Sequence, residues 1–75
     1  MTVTVSLLGE YRKYSPEAEF GVELPAGATP LAVVEKLGIP RTPSLWVLVD
    51  GKRGRLDQEL RPGSRVSFFQ PVGGG

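Results

Sequence analysis

Ten glycines and seven prolines punctuate a chain of 75 residues and cut it into segments with room only for brief strands and one brief helix. Within those segments the apolar residues alternate. In Thr2–Leu8, Val3, Val5 and Leu7 face one way and Thr2, Thr4 and Ser6 the other, the period of a half-buried strand. Glu19–Leu24 alternates again, with Phe20, Val22 and Leu24 on one side, and Gly21 in its middle predicts a weak strand or a bulge. Leu45–Asp50 is apolar and β-branched and runs into the turn pair Asp50-Gly51. Ser64–Gln70 reads as a final strand, with Val66 and Phe68 on one face and Ser67 and Phe69 on the other. The polar stretch Glu10–Ala18, which carries Pro16, reads as a loop, and Lys52–Arg55 as a short strand or turn. Leu56 and Leu60 pack through one helical turn or flank a tight loop, and Arg61-Pro62-Gly63 is a turn.

One segment has helical spacing. Thr29-Pro30 is a start signal, a hydroxyl at the N-cap followed by proline at the first helical position. Leu31, Val34 and Leu37 form a stripe with Val33 beside it, while Glu35 and Lys36 face water. Gly38 is placed to end the helix in a left-handed cap, and Pro40 prevents its resumption. A helix over about Pro30–Leu37 is too short to stand alone and must lay its stripe on a sheet. The order strand, strand, helix, strand, irregular piece, strand predicts an α+β fold: a mixed sheet of four to five strands with one main helix on one face and the other face open.

The inventory of reactive groups is short. With no cysteine and no histidine, disulfide staples, zinc fingers, thiol nucleophiles, Ser-His-Asp triads and imidazole acid–base chemistry are excluded together, and no metal-ligand cluster exists. Gly51-Lys52-Arg53-Gly54 lacks the spacing and the hydroxyl of a phosphate-binding loop and reads as a turn. Glu17 and Glu19 are neighbours in sequence without the burial that acid–base work requires. Nine basic and eight acidic residues give a formal charge of +1, against nucleic acid as the main partner. The charge is uneven: Lys52, Arg53, Arg55, Arg61 and Arg65 face only Asp57 and Glu59 in the last third, either a solvated face or a docking surface for an acidic partner. No apolar run approaches a membrane span and the first residues have no signal-peptide pattern, so the expected location is cytoplasmic.

Two features stand out from this bland background. If Val66 and Phe68 point to the core, Phe69 points away from the helix, and Leu8 does the same at the end of the first strand; together they predict a partner-binding patch on the open face. The second feature is the end, Pro71-Val72-Gly73-Gly74-Gly75. Glycines maximise the entropy lost on ordering, about 1–2 kcal/mol per residue. They also make the chain thin enough to thread a narrow channel and present a carboxylate, and five extended residues reach roughly 17 Å.

These residues carry a resemblance that spans the whole chain. The end Arg65-Val-Ser-Phe-Phe-Gln-Pro-Val-Gly-Gly-Gly75 resembles the MoaD/ThiS family of ubiquitin-like sulfur carriers, in which a strand runs into Phe-Pro-Pro-Val-X-Gly-Gly. Glu23-Leu-Pro-Ala-Gly-Ala-Thr29, Leu37-Gly-Ile-Pro40, Val47-Leu-Val-Asp-Gly51 and Leu56-Asp-Gln-Glu-Leu-Arg-Pro-Gly-Ser-Arg-Val66 match as well. Gln70 replaces the first of the two prolines, and Gly73 adds a third glycine. The aromatic pair followed by Pro71-Val72 favours the molybdopterin-synthase small-subunit branch over the thiazole branch.

The resemblance implies a ubiquitin-like β-grasp domain over 1–70 and a flexible glycine-rich tail over 71–75. It implies that a ubiquitin-activating-type (MoeB/ThiF-like) enzyme uses MgATP to adenylate the Gly75 carboxylate. Sulfur from a persulfide donor then replaces AMP to give a thiocarboxylate. Gly73 and Gly74 thread the partner's channel, and Leu8, Phe69, Pro71 and Val72 anchor the larger, MoaE-like subunit of molybdopterin synthase. The carrier itself is not an enzyme and binds no cofactor. Two rival readings share the tail: a ubiquitin-like modifier joined to lysines, and a sulfur carrier for thiamine thiazole, tRNA thiolation, amino-acid synthesis or a tungsten cofactor. A third is an interaction domain with an incidental tail.

Overall fold

The computed structural model describes residues 1–71. The elements follow the punctuation: β1 (Thr2–Leu7), a 3₁₀ turn (Gly9–Tyr14), β2 (Glu19–Glu23), α1 (Pro30–Leu37), β3 (Trp46–Val49), β4 (Lys52–Arg53) and β5 (Arg65–Phe69). They form one five-stranded mixed sheet in the order β2-β1-β5-β3-β4. The first and last long strands lie side by side and parallel at its centre, with Val5 opposite Val66 and Leu7 opposite Phe68. The other three pairings are antiparallel. This is the β-grasp arrangement.

Strand alternation decides the layers. Val3, Val5 and Leu7 of β1, Val22 of β2, Val47 and Val49 of β3 and Val66 and Phe68 of β5 are buried on one face. Val33 and Val34 of α1 pack into the same core with Ile39, Leu45 and Leu60. Each fully buried side chain of this kind contributes about 1.5–3 kcal/mol. Leu31 and Leu37, expected in the centre of the helix stripe, are half-buried at its margins, while Pro30 is buried.

The helix ends differ from each other. Thr29 sits at the N-cap in extended geometry, but its hydroxyl makes no capping bond. Pro30 has no N–H to satisfy, the Leu31 N–H donates to the Leu56 carbonyl at 3.1 Å, and the Ala32 N–H donates to the Thr29 carbonyl at 2.9 Å. A tertiary contact has taken the hydroxyl's place. At the other end Gly38 adopts the left-handed conformation at φ 73°. Its N–H bonds the Glu35 carbonyl and the Ile39 N–H bonds the Val34 carbonyl, the double bond pattern of a glycine-terminated helix.

The two predicted turns form as read. Asp50 and Gly51 both have positive φ, 51° and 84°, as a two-residue hairpin with right-handed twist requires. The Asp50 carboxylate accepts the Arg65 N–H at 2.9 Å and its N–H donates to the Arg65 carbonyl at 2.8 Å, tying the turn to β5. Pro62-Gly63 closes with the Ser64 N–H on the Arg61 carbonyl, and buried Ser64 accepts the Arg61 N–H.

Two further expectations need correction. Glu10–Ala18 is not all loop, because Gly9–Tyr14 winds into a 3₁₀ turn that buries Tyr11 in the core. Gly21 marks no bulge: it pairs in register with Thr4, and a Cβ there would meet Thr2 at an ordinary 3.5 Å. Among the described residues no helix is long and apolar enough to cross a membrane.

Candidate functional site

Core packing on one face leaves the other face of the sheet to be read strand by strand. Its centre is polar: Ser6 stands beside Ser67, and Thr4 beside Arg65. Its upper end is apolar. Phe69 pairs with Trp46 across β5 and β3, their rings meeting edge to face with centroids 6.0 Å apart. Leu8, whose N–H bonds the Phe68 carbonyl, continues the row from the β1 side and is 47% exposed, the one large exposed hydrophobic residue among the described residues. Phe69 is half-buried, covered on one side by Trp46.

The predicted patch therefore contains Leu8 and Phe69, and the structure brings them to one place. A cavity of about 500 Å³ is lined by Leu8, Gly9, Glu10, Phe69, Gln70 and Pro71. Pro71 is half-buried at its rim. Because β5 is a central strand that ends here, Gln70 and Pro71 lie directly beside this apolar surface. Val72, Gly73, Gly74 and Gly75 lie outside the described residues.

Three residues of this face escaped the sequence reading. Trp46 and Leu48 belong to the run Leu45–Val49, whose unbroken apolarity hid which side faces out. The signal was period two: with Val47 and Val49 in the core, Trp46 and Leu48 must point outward. The third is Arg53, opposite Leu48 on β4, whose guanidinium carbon lies 3.3 Å from the centroid of the Trp46 ring.

The basic surplus of the last third resolves into three environments. Arg55 is held by Asp57 through two bonds of 2.9 Å. That pairing lowers the Asp57 carboxyl below its usual range and raises Arg55, although both side chains are largely exposed. Arg65 pairs with Glu19 at 3.3 Å. Arg53 instead lies over the Trp46 ring and, like Lys52, Arg61 and Arg41, has no carboxylate partner among the described residues. Elsewhere, burial raises the Tyr11 phenol above its ordinary value, while the neighbouring Thr42 side chain opposes the shift. Among the described residues no acidic cluster could hold a metal ion.

The comparisons concern the family and the fold. The sequence profile of the ThiS family matches residues 5–75. No curated protein sequence matches the chain. The fold is similar to that of SAMP1 from Haloferax volcanii, at 18% identity with a TM-score of 0.80 and all of both chains covered. It is also similar to a Pyrococcus furiosus protein described as molybdopterin converting factor, subunit 1, at 24% identity and TM-score 0.78, covering 95% of this chain and 98% of that one. A third likeness is to a chain in the complex of subunits 1 and 2 of the molybdopterin-converting factor from Helicobacter pylori, at 20% identity and TM-score 0.67 over all of both chains.

Proposed function

The chain belongs to the ThiS family, and we propose that it is a sulfur carrier whose reactive group is the C-terminal carboxylate of Gly75. The observation that carries this reading is the position of β5. A central strand brings Gln70 and Pro71 to the edge of an apolar surface made by Leu8, Phe69 and Trp46. A partner that covers this surface receives the tail at the same time.

The chemistry needs little from the carrier. A carboxylate is a poor electrophile until one oxygen becomes a good leaving group. A ubiquitin-activating-type enzyme supplies that by joining the carboxylate to AMP from MgATP with loss of pyrophosphate. The terminal sulfur of a persulfide attacks the carbonyl carbon and expels AMP, and a thiol then cleaves the S–S bond to leave the thiocarboxylate. The carrier's part is to dock, to extend and to be thin: Gly73 and Gly74 have no side chain to obstruct a channel.

Within the family we assign the chain to the molybdopterin-synthase small-subunit branch, with a MoaE-like large subunit as sulfur-transfer partner. Support comes from the aromatic end of β5 followed by Pro71-Val72, and from the fold it shares with the two molybdopterin-converting-factor subunits. The fold shared with SAMP1 keeps a second reading in view, a modifier joined to lysines. Both begin by adenylating the same carboxylate.

The test is intact-mass analysis after incubation with the adenylating enzyme, ATP and a sulfur source. The mass rises by the difference between sulfur and oxygen. Deleting Gly75 abolishes the change, because the carboxylate then falls about 3.5 Å short of the activating site, and appending one residue does the same. Thiolation of the shortened or lengthened chain at the normal rate overturns the carrier reading. Isolation from cells separates the branches: higher-mass lysine conjugates favour the modifier, and free thiocarboxylate co-purifying with the large subunit favours molybdopterin synthase.

A further inference from the structure

Arg53 on β4 and Arg41 in the loop before β3 have no carboxylate partner among the described residues. Arg53 and Arg41 line one cavity of about 390 Å³, together with Trp46, Pro43 and Leu56. Arg55 lines it too, but Asp57 already occupies its guanidinium fork. The Arg53 guanidinium carbon lies over the Trp46 ring and the group has no carboxylate partner among the described residues, so its planar fork can take an acceptor. Trp46 joins this corner to the apolar row, since its ring also meets Phe69.

We propose that the corner formed by Arg53, Trp46 and Arg41 is the polar end of the carrier's docking surface, and that it takes a carboxylate side chain of the adenylating enzyme that receives the tail. The inference rests on the carrier reading above and adds the chemistry of the partner: an apolar patch to cover Leu8 and Phe69, with an aspartate or glutamate beside it. The charges favour a protein carboxylate over a polyanion. The formal charge of the whole chain is only +1, and Asp57 stands at the rim of the same cavity, so two arginines suit one or two carboxylates and not a phosphate chain.

The test uses the full-length chain, its adenylating enzyme as the probe, and 5-fluorotryptophan at the chain's single tryptophan as reporter. Wild-type binding shifts the fluorine resonance and weakens as salt rises from low concentration to about 0.5 M. Arg53→Gln weakens binding about tenfold at low salt and flattens the salt dependence. Arg53→Lys keeps the salt dependence but not the full affinity, because the planar fork is lost. Arg41→Gln, judged by the same measurements, is a second route to the answer. Unchanged affinity and salt dependence in both Gln variants, at unchanged melting temperature, overturn the proposal while wild-type adenylation leaves the carrier reading standing. A wild-type chain that is neither bound nor adenylated overturns both. A dimer of this chain in sedimentation that Arg53→Gln dissociates gives the corner to a second copy, and overturns the proposal too.

Discussion

Neighbouring residues on β5 have opposite jobs. Phe68 is fully buried and Phe69 looks out from the other face. Phe68→Ala is expected to destabilise the domain by about 3–5 kcal/mol in urea denaturation, the transfer and cavity cost of a core phenylalanine. Phe69→Ala is expected to leave the fold nearly intact and to weaken binding to the proposed MoaE-like subunit by about 1–3 kcal/mol, as for a buried aromatic anchor. A melting temperature that falls for Phe69→Ala and not for Phe68→Ala would refute the register. Tyr11 gives a pH signature. Burial holds its proton to a higher pH in the folded chain than in the unfolded one. Its contribution to stability is therefore complete below about pH 10, the ordinary phenol value, and is lost as pH rises through the folded value. Urea midpoints measured up to about pH 11.5 should fall more steeply for the wild type than for Tyr11→Phe.

The two ends of the helix invite opposite substitutions. Gly38 has φ 73° with open space around its Cα, so the cost of Gly38→Ala is conformational and not steric. About 1–2 kcal/mol is expected for placing an L-residue there. Thr29→Ala should cost less than roughly 0.5 kcal/mol, below the usual loss of an N-cap, because the hydroxyl makes no bond to lose. The pair is checked by chemical denaturation of both variants. A Thr29→Ala cost as large as that of Gly38→Ala would mean that the hydroxyl caps the helix in solution. The start signal and the stop signal were equally visible in sequence. At the start the proline acts as read and the threonine hydroxyl does not, because the Leu31 N–H finds the Leu56 carbonyl instead.

At the scale of the molecule, the central pairing joins the two ends of the chain. Thr4 lies beside Arg65 and Leu7 beside Phe68, so the sheet cannot close until nearly all of the sequence has been gathered. Loop-closure entropy is spent before that contact forms, and refolding is expected in the millisecond-to-second range, slower than a helical bundle of this size. Stopped-flow refolding from urea is the measurement, and microsecond refolding would contradict the expectation. The same topology brings strand ends from β1, β3 and β5 to one end of the open face, which is why a chain with so few reactive groups still has a localised surface.

The division between sequence and structure follows the range of the forces. Local periodicity determined the strands Thr2–Leu7 and Arg65–Phe69, the helix Pro30–Leu37 and the turns at Asp50-Gly51 and Pro62-Gly63, because alternation, helical spacing and glycine's positive φ act within a few residues. The outward direction of Leu8 and Phe69 was legible for the same reason, and the family resemblance was carried by short motifs along the whole chain, the glycine end being one of them. The winding of Gly9–Tyr14 was not legible, since Tyr11 is drawn down by a core assembled from distant strands. Nor were the Trp46–Phe69 contact and the Arg53 stack, because each depends on which strands become neighbours. Strand order is settled by packing a whole sheet against one helix, a sum over the entire chain that no local pattern contains.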